Sequence, residues 1–362
     1  MVITLQLFLQ SLHHISPTKT PTYAPTKSPT DLPTKTPTRA PTCSPTVDPL
    51  NINLASLLPS QGFTINGIAN NDQSGTSVSG IGDVNGDGYN DVIIGAPYAN
   101  GYIGNSYIIF GNNVSYDFTT INLGYLQPSQ GSFIYGDSTI SKENFGFSVS
   151  GIGDFNGDGY DDFAVGAPNE SRTYILLGQA NFPYQVYLES SLGTTLQGFY
   201  VYGPSRLGSD VSNAGDINKD GYDDLVVCAS STNPYYYYVI LGKNSSFTNI
   251  NLANNLVSSA QGFTITGNAY SDTDGSDFQD CSVANAGDIN GDGFNDIIIG
   301  EPNASPCAQG SPTCATTYKN AGSSFIIFGN STQYLRNIVL STICSSTFKP
   351  RCYNKWYSSR WI

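Results

Sequence analysis

The sequence predicts an all-β fold made of repeated antiparallel units, and three observations carry that prediction. The 362 residues include 38 Gly, 24 Tyr and 18 Phe, while only 12% are charged. That balance disfavours helices and favours turns and strands. A motif of about twenty residues recurs four times after residue 51. No amphipathic helical period of useful length interrupts it.

The four copies are SVSGIGDVNGDGYNDVIIGAP from Ser77, SVSGIGDFNGDGYDDFAVGAP from Ser148, DVSNAGDINKDGYDDLVVCAS from Asp210 and SVANAGDINGDGFNDIIIGEP from Ser282. Their first loop aspartates, Asp83, Asp154, Asp216 and Asp288, are spaced by 71, 62 and 72 residues. That period is too long for a solenoid turn and suits a four-stranded propeller blade with generous loops.

Within the second unit, Phe145 to Ile152 reads as the first strand and Phe163 to Val165 as the second. Tyr174 to Leu177 is the third. The fourth carries a Gln-Gly-Phe theme that recurs at Gln61–Gly67, Gln130–Gly136, Gln197–Gly203 and Gln261–Gly267. Short β-rich runs between Gly, Asn and Pro punctuation fit antiparallel meanders.

Between the first two strands of each unit lies D-x-N-x-D-G-x-x-D. In the first loop Asp83, Asn85 and Asp87 supply side-chain oxygens, Tyr89 a backbone carbonyl, and Asp91 closes the set. The equivalents are Asp154, Asn156, Asp158, Tyr160 and Asp162; Asp216, Asn218, Asp220, Tyr222 and Asp224; and Asp288, Asn290, Asp292, Phe294 and Asp296. Hard oxygen donors at alternate positions of a tight turn suit Ca²⁺, about four ions in all. An EF-hand would place a bidentate Glu at the twelfth position. Here that position holds Ile94, Val165, Val227 or Ile299, inside a β-branched run. The alternatives are a solvated Asp/Asn turn without metal, or Mg²⁺, which prefers to keep several waters.

At this point the chain resembles a family, the FG-GAP repeats of the integrin α-subunit propeller. The second unit carries both halves of the name, Phe145-Gly146 and Gly166-Ala167-Pro168. The first has Ser74-Gly75 and Gly95-Ala96-Pro97. The third departs with Leu207-Gly208 and Cys228-Ala229-Ser230, and the fourth with Gln279-Asp280 and Gly300-Glu301-Pro302. The resemblance covers roughly residues 50 to 340 and implies seven blades, of which four are recognisable. A partial or truncated seven-bladed propeller is the expectation; a closed four-bladed ring completed by strand 61–67 is the alternative. The resemblance further implies that the acidic loops share the lower face and that ligands meet the upper one.

Around residues 48–341, the expected propeller, the chain changes character. Residues 1–16 read as a candidate signal peptide, although the basic start and cleavage site are faint. Residues 17–47 place Pro-Thr at every fourth position and read as a disordered stalk. Residues 336–341, RNIVLS, read as the lead-in to a further blade, and 342–362 are unassigned.

The chain has no His beyond His13 and His14, which excludes Ser-His-Asp and Cys-His mechanisms and histidine-held metals from the repeats. Its formal charge of -13 conceals a central stretch, residues 50–335, with 26 acidic and six basic residues, so nucleic acid is not an expected partner. No apolar run reaches the ~18 residues of a membrane span. Cys228 and Cys281 read as small core residues, while Cys307 and Cys314 could staple a long loop. Asp272, Asp274, Asp277 and Asp280 form an acidic cluster. Five Asn-x-Ser/Thr sequons, at Asn113, Asn169, Asn244, Asn303 and Asn330, fall at predicted loops. Tyr235 to Tyr238 read as a strand with alternating buried and exposed rings.

The functional expectation is a non-catalytic, calcium-stabilised recognition or adhesion propeller, secreted or at the cell surface. Its ligand would be a protein or a glycan on the upper face. A calcium-dependent lectin, or an accessory propeller of a secreted phospholipase- or lyase-type enzyme, are the alternatives.

Overall fold

The computed structural model describes residues 2–5, 52–58, 60–112, 120–140, 142–192, 196–230, 234–252, 261–267, 281–304, 321–331 and 337–340. The proposed stalk, the Cys307/Cys314 pair, the acidic cluster at 272–280, the sequon at Asn113 and the segment 342–362 lie outside these residues.

The chain folds as predicted into successive β-sheets, numbered here by strand in chain order. The first blade contains β3 (Ser77–Gly82), β4 (Asp91–Ala96), β5 (Asn105–Ile109) and β7 (Gly131–Tyr135). The second contains β8 (Ser148–Gly153), β9 (Asp162–Ala167), β10 (Arg172–Leu176) and β12 (Gly198–Tyr202). The third contains β13 (Leu207–Gly215), β14 (Asp224–Ala229), β15 (Tyr236–Ile240) and β17 (Gly262–Thr266). Neighbouring strands within each blade pair antiparallel in simple meander order. The fourth blade shows β18 (Ser282–Gly287), β19 (Asp296–Glu301) and β20 (Ser323–Ile327).

A short outer strand stitches each blade to the next, a feature absent from the expectation. β11 (Gln185–Tyr187) precedes the fourth strand of blade two yet pairs parallel with β7 of blade one. β16 (Ile250–Asn251) does the same between blades three and two. β21 (Ile338–Val339) pairs parallel with β17 of blade three. Within RNIVLS, Ile338–Val339 is therefore the outer strand of blade three, in the place that β11 and β16 hold ahead of a fourth strand. At the other end β2 (Phe63–Asn66) pairs with β1 (Val2–Leu5) and with β6 (Thr120–Asn122), not with β20. The four-bladed closure through strand 61–67 is thus not the arrangement found.

The core lies between sheets. Ile81, Ile93, Phe145 and Phe163 pack between blades one and two. Phe155, Phe199, Leu225 and Tyr238 pack between two and three, and Ala214, Val226, Ile297 and Ile299 between three and four. A sheet covered on both faces needs no alternation of polar and apolar residues. Accordingly every residue of β4, β9 and β14 is buried. The same geometry corrects the tyrosine run: Tyr235, Tyr237 and Tyr238 are all buried, and only Tyr236 is part-exposed.

Cys228 and Cys281 are also buried, but they are joined as a disulfide across 53 residues, with Cα atoms 6.4 Å apart. Cys228 stands where blades one and two have Gly95 and Gly166. At those positions a Cβ would lie 2.0 Å from the Gly146 carbonyl oxygen and 2.1 Å from that of Gly208. A covalent link between blades three and four thus replaces a glycine-against-backbone contact.

Candidate metal centre

Each acidic loop is launched by a bulge. The register of β3 against β4 shifts between Gly80 and Gly82, and Gly82 has φ 67°. β8 and β18 shift at the matching glycines, Gly153 and Gly287. The bulge bends the strand and re-aims the next residue into the turn.

The Asp83 carboxylate then organises the turn. It accepts amide N–H bonds from Gly86 at 2.8 Å, Asp87 at 3.0 Å and Gly88 at 2.7 Å. Asn85 Oδ1 accepts from the Asp87 amide, and Asp87 Oδ1 from that of Tyr89, each at 2.9 Å. Loops two and four repeat this pattern through Asp154 and Asp288. Asn156 and Asp158, like Asn290 and Asp292, repeat the inner bonds to the amides of Asp158 and Tyr160, and of Asp292 and Phe294. In loop three Lys219 replaces the first glycine at φ 59°, yet Asp216 still binds the amides of Asp220 and Gly221. Asn218 and Asp220 bind those of Asp220 and Tyr222. The first three acidic and amide side chains of each loop are therefore gathered on one turn.

The closing aspartate belongs to the second strand and is fully enclosed. Asp91, Asp162, Asp224 and Asp296 are all 0% exposed. Asp91 accepts from the Val84 amide at 3.1 Å and from Gly111 at 2.8 Å. Asp162 takes Phe155 and Gly178, Asp224 takes Ile217 and Gly242, and Asp296 takes Ile289 and Gly329. Burial pushes Asp91 up to about 7, and Asp162 and Asp224 up to about 8. In these three loops the two other aspartates raise it further by like charge, against the backbone bonds that lower it.

Three carboxylates that repel one another around a turn of oxygen donors fit a hard divalent cation. Oxygen is the only donor type present, as Ca²⁺ requires. Among the described residues, however, no three acidic, cysteine or histidine side chains converge as a finished cage. Backbone amides hold much of the carboxylate surface instead.

The structure adds residues that the ligand pattern did not single out. The residue before the closing aspartate reaches back to the preceding loop. Asp161 Oδ2 accepts from the Asp83 amide at 2.8 Å, and Asp161 N–H donates to the Asp83 carbonyl at 3.2 Å. Asp223 accepts from the Asp154 amide, and the Asn295 amide donates to the Asp216 carbonyl at 3.3 Å. Asp223 is raised by burial first and then by the charges of Asp216 and Asp161. The rings of Tyr160 and Tyr222, assigned above only for their backbone, lie over Gly86 and Gly157. Phe294 instead meets Lys219 Nζ, 5.5 Å from the ring centroid. The sequence signal for these pairs was present: aromatic then Asn or Asp recurs in all four loops without being needed as a carboxylate ligand.

Of the described sequons, Asn169 and Asn244 are exposed, but Asn303 is buried and donates to the Tyr235 hydroxyl at 3.2 Å. Asn303 is closed to glycosylation in the folded chain.

The FG-GAP repeat family matches residues 74–109, 145–188 and 282–327. The third unit is missed, in keeping with Lys219 and Cys228, although its strands are built like the others. Integrin alpha-3 of Cricetulus griseus is 32% identical over 160 residues, 42% of this chain and 14% of that protein. Integrin alpha-PS3 of Drosophila melanogaster is 40% identical over 102 residues, 28% of this chain and 8% of its own length. Integrin alpha ina-1 of Caenorhabditis elegans is 31% identical over 189 residues, 47% and 16% respectively. The chain therefore spans no more than about a sixth of these relatives. The chain carries FG-GAP repeats on an all-β fold, consistent with a β-propeller resembling the N-terminal domain of integrin alpha subunits.

Proposed function

We propose that this chain is a calcium-stabilised recognition or adhesion propeller that works outside the cell and is not an enzyme. The observation that carries the reading is the enclosure of Asp91, Asp162, Asp224 and Asp296 beside two further aspartates each. In each loop the donors would be the two turn aspartates, the asparagine, the aromatic residue's carbonyl and the closing aspartate. Bound Ca²⁺ would supply charge neutralisation and a fixed turn, not reaction chemistry.

The Cys228–Cys281 link supports an oxidising compartment. Similarity to integrin alpha subunits supports an adhesive role with a protein ligand. The upper face, opposite the acidic loops, is the proposed contact surface. A glycan ligand is the second reading, favoured by the stacked pair Tyr135 and Tyr187, 4.7 Å apart, with Tyr187 43% exposed. Among the described residues no helix is long and apolar enough to cross a membrane.

Calorimetric titration of the demetallated chain with Ca²⁺ should show about four sites, and chelator should lower the melting temperature. An unchanged melt would sink the calcium reading. Binding on a glycan array would favour the second ligand class over the first.

A further inference from the structure

The asparagines of four Asn-x-Ser/Thr sequons lie among the described residues, and the fold treats them differently. Asn169 and Asn303 follow the second strands β9 and β19, at the blade ends away from the acidic loops. Asn169 is exposed, yet its Nδ2 donates to the Lys142 carbonyl at 3.1 Å and to Asn144 Oδ1. Asn144 is buried and donates in turn to the Pro97 carbonyl of blade one at 3.0 Å. Both N–H groups of the Asn169 amide are thus spent on tying its turn to the loop before β8. Asn303 is buried and turns its Nδ2 inward to the Tyr235 hydroxyl, 3.2 Å away.

Asn244 stands in another setting. It follows the third strand β15, at the same blade end as the acidic loops. The residues leading to it are pinned there: Gly242 N–H donates to Asp224 Oδ1 at 2.8 Å and Lys243 N–H to the Phe155 carbonyl at 3.0 Å. Ser245 N–H then bonds back to the Lys243 carbonyl at 2.9 Å, a three-residue turn with Asn244 at its tip. Beyond the tip, Phe247 stacks on Phe199 with ring centroids 4.7 Å apart. The segment is therefore anchored on both sides, while Asn244, Ser245 and Ser246 are exposed. Among the described residues no hydrogen bond engages the Asn244 side chain. Asn330, at the same blade end, is part-buried, and its side-chain oxygen accepts from the Ser331 amide at 2.8 Å.

We propose that Asn244 carries an N-linked oligosaccharide, while Asn169 and Asn303 stay unmodified in the folded chain. The inference rests on the extracellular reading above. The sugar donor is an oligosaccharide held on a lipid diphosphate. Asn244 Nδ2 forms a bond to its anomeric carbon, the bond from that carbon to the diphosphate oxygen breaks, and the lipid diphosphate leaves with the electron pair. The amide releases one proton, and Ser246 supplies the hydroxyl that the sequon requires two residues on. Attachment to the growing chain precedes folding, so the fold acts as a filter. A conjugate on Asn303 would have to enter a buried contact, and one on Asn169 would take an N–H from one of its two acceptors. A conjugate on Asn244 costs the fold no contact. The oligosaccharide then stands beside the second and third acidic loops and leaves the opposite blade ends clear at Asn169 and Asn303.

The test is peptide mapping of the full chain, secreted from a eukaryotic host behind a leader and taken from its folded, monodisperse fraction. Release by a peptide N-glycosidase in heavy-oxygen water converts each occupied asparagine to labelled aspartate. Asn244 should be labelled in most chains, and Asn169 and Asn303 at least about tenfold less, because each of those two would forfeit a hydrogen bond on conjugation. Asn244→Gln should run faster on a denaturing gel by one oligosaccharide, at unchanged melting temperature. Asn169→Ala should keep the wild-type mobility and melt lower. An unlabelled Asn244, or labelling of Asn169 or Asn303 to the level of Asn244, would overturn the proposal. The Cys228–Cys281 link separates this failure from that of the extracellular reading. A formed disulfide beside a bare Asn244 overturns this inference alone, whereas free thiols with bare sequons overturn both.

Discussion

Asp161 and Asp83, 78 residues apart in sequence, exchange two hydrogen bonds between adjacent acidic loops. The side chain of one loop thereby fixes the backbone of the loop before it. The same device recurs between Asp223 and Asp154. Loop geometry is consequently a property of pairs of blades, and a change in one loop is felt in its neighbour.

Asp161→Ala should destabilise the chain by about 1–2 kcal/mol, because it leaves the Asp83 amide without its partner. Asn90→Ala, at the matching position of blade one, should stay within about 0.5 kcal/mol in the dilute chain, since Asn90 is exposed. Urea midpoints in saturating Ca²⁺ check the pair, and equal losses would refute the inter-loop role.

Asp162→Asn replaces a buried acceptor of two backbone N–H groups by a side chain with one acceptor oxygen. We expect about 1–3 kcal/mol of destabilisation and one fewer Ca²⁺ in the calorimetric titration. Unaltered stoichiometry would show that Asp162 is not a ligand.

Reducing the Cys228–Cys281 link frees a loop of 53 residues. The expected loss is about 2–4 kcal/mol, chiefly through the entropy of the unfolded chain. A Cys228→Ser variant should melt at the lower temperature with or without reductant. Peptide mapping under non-reducing conditions should recover the two cysteines on one linked fragment.

Glu143 is fully buried, bonded to the Tyr174 hydroxyl and to the Asp137 amide at 2.9 Å, and burial raises it from 4.5 to about 7. In the unfolded chain this carboxyl loses its proton near 4.5, whereas in the fold it keeps it to about 7. The folded state thus binds more protons across that window, and stability falls as pH rises through it. Glu143→Gln cannot ionise and escapes that fall. Relative to wild type, the variant should gain up to about 3 kcal/mol between about pH 4.5 and pH 7.5. Parallel urea-stability profiles across this range would contradict the assignment.

Much of the fold was legible because the repeat encodes local decisions. Gly82 and Gly153 turn the chain, Asp83 and Asp154 find amides within five residues, and the β-branched runs after the loops extend. The Gln-Gly-Phe theme located β7, β12 and β17 to within a residue or two. The outer strands β11 and β16 were missed because two or three residues leave no periodicity to read.

The charge distribution and the four loops were therefore determined by sequence alone: each depends on groups only a few residues apart. Tertiary structure decided what depends on blades meeting. It buried Tyr235, Tyr237 and Tyr238 together, because neighbours cover both faces of their sheet. It paired Cys228 with Cys281, closed Asn303 to modification and set Asp161 on Asp83. Those contacts join residues about 50 to 80 positions apart, where local propensity has no say and only the packing of one blade on the next fixes the partner.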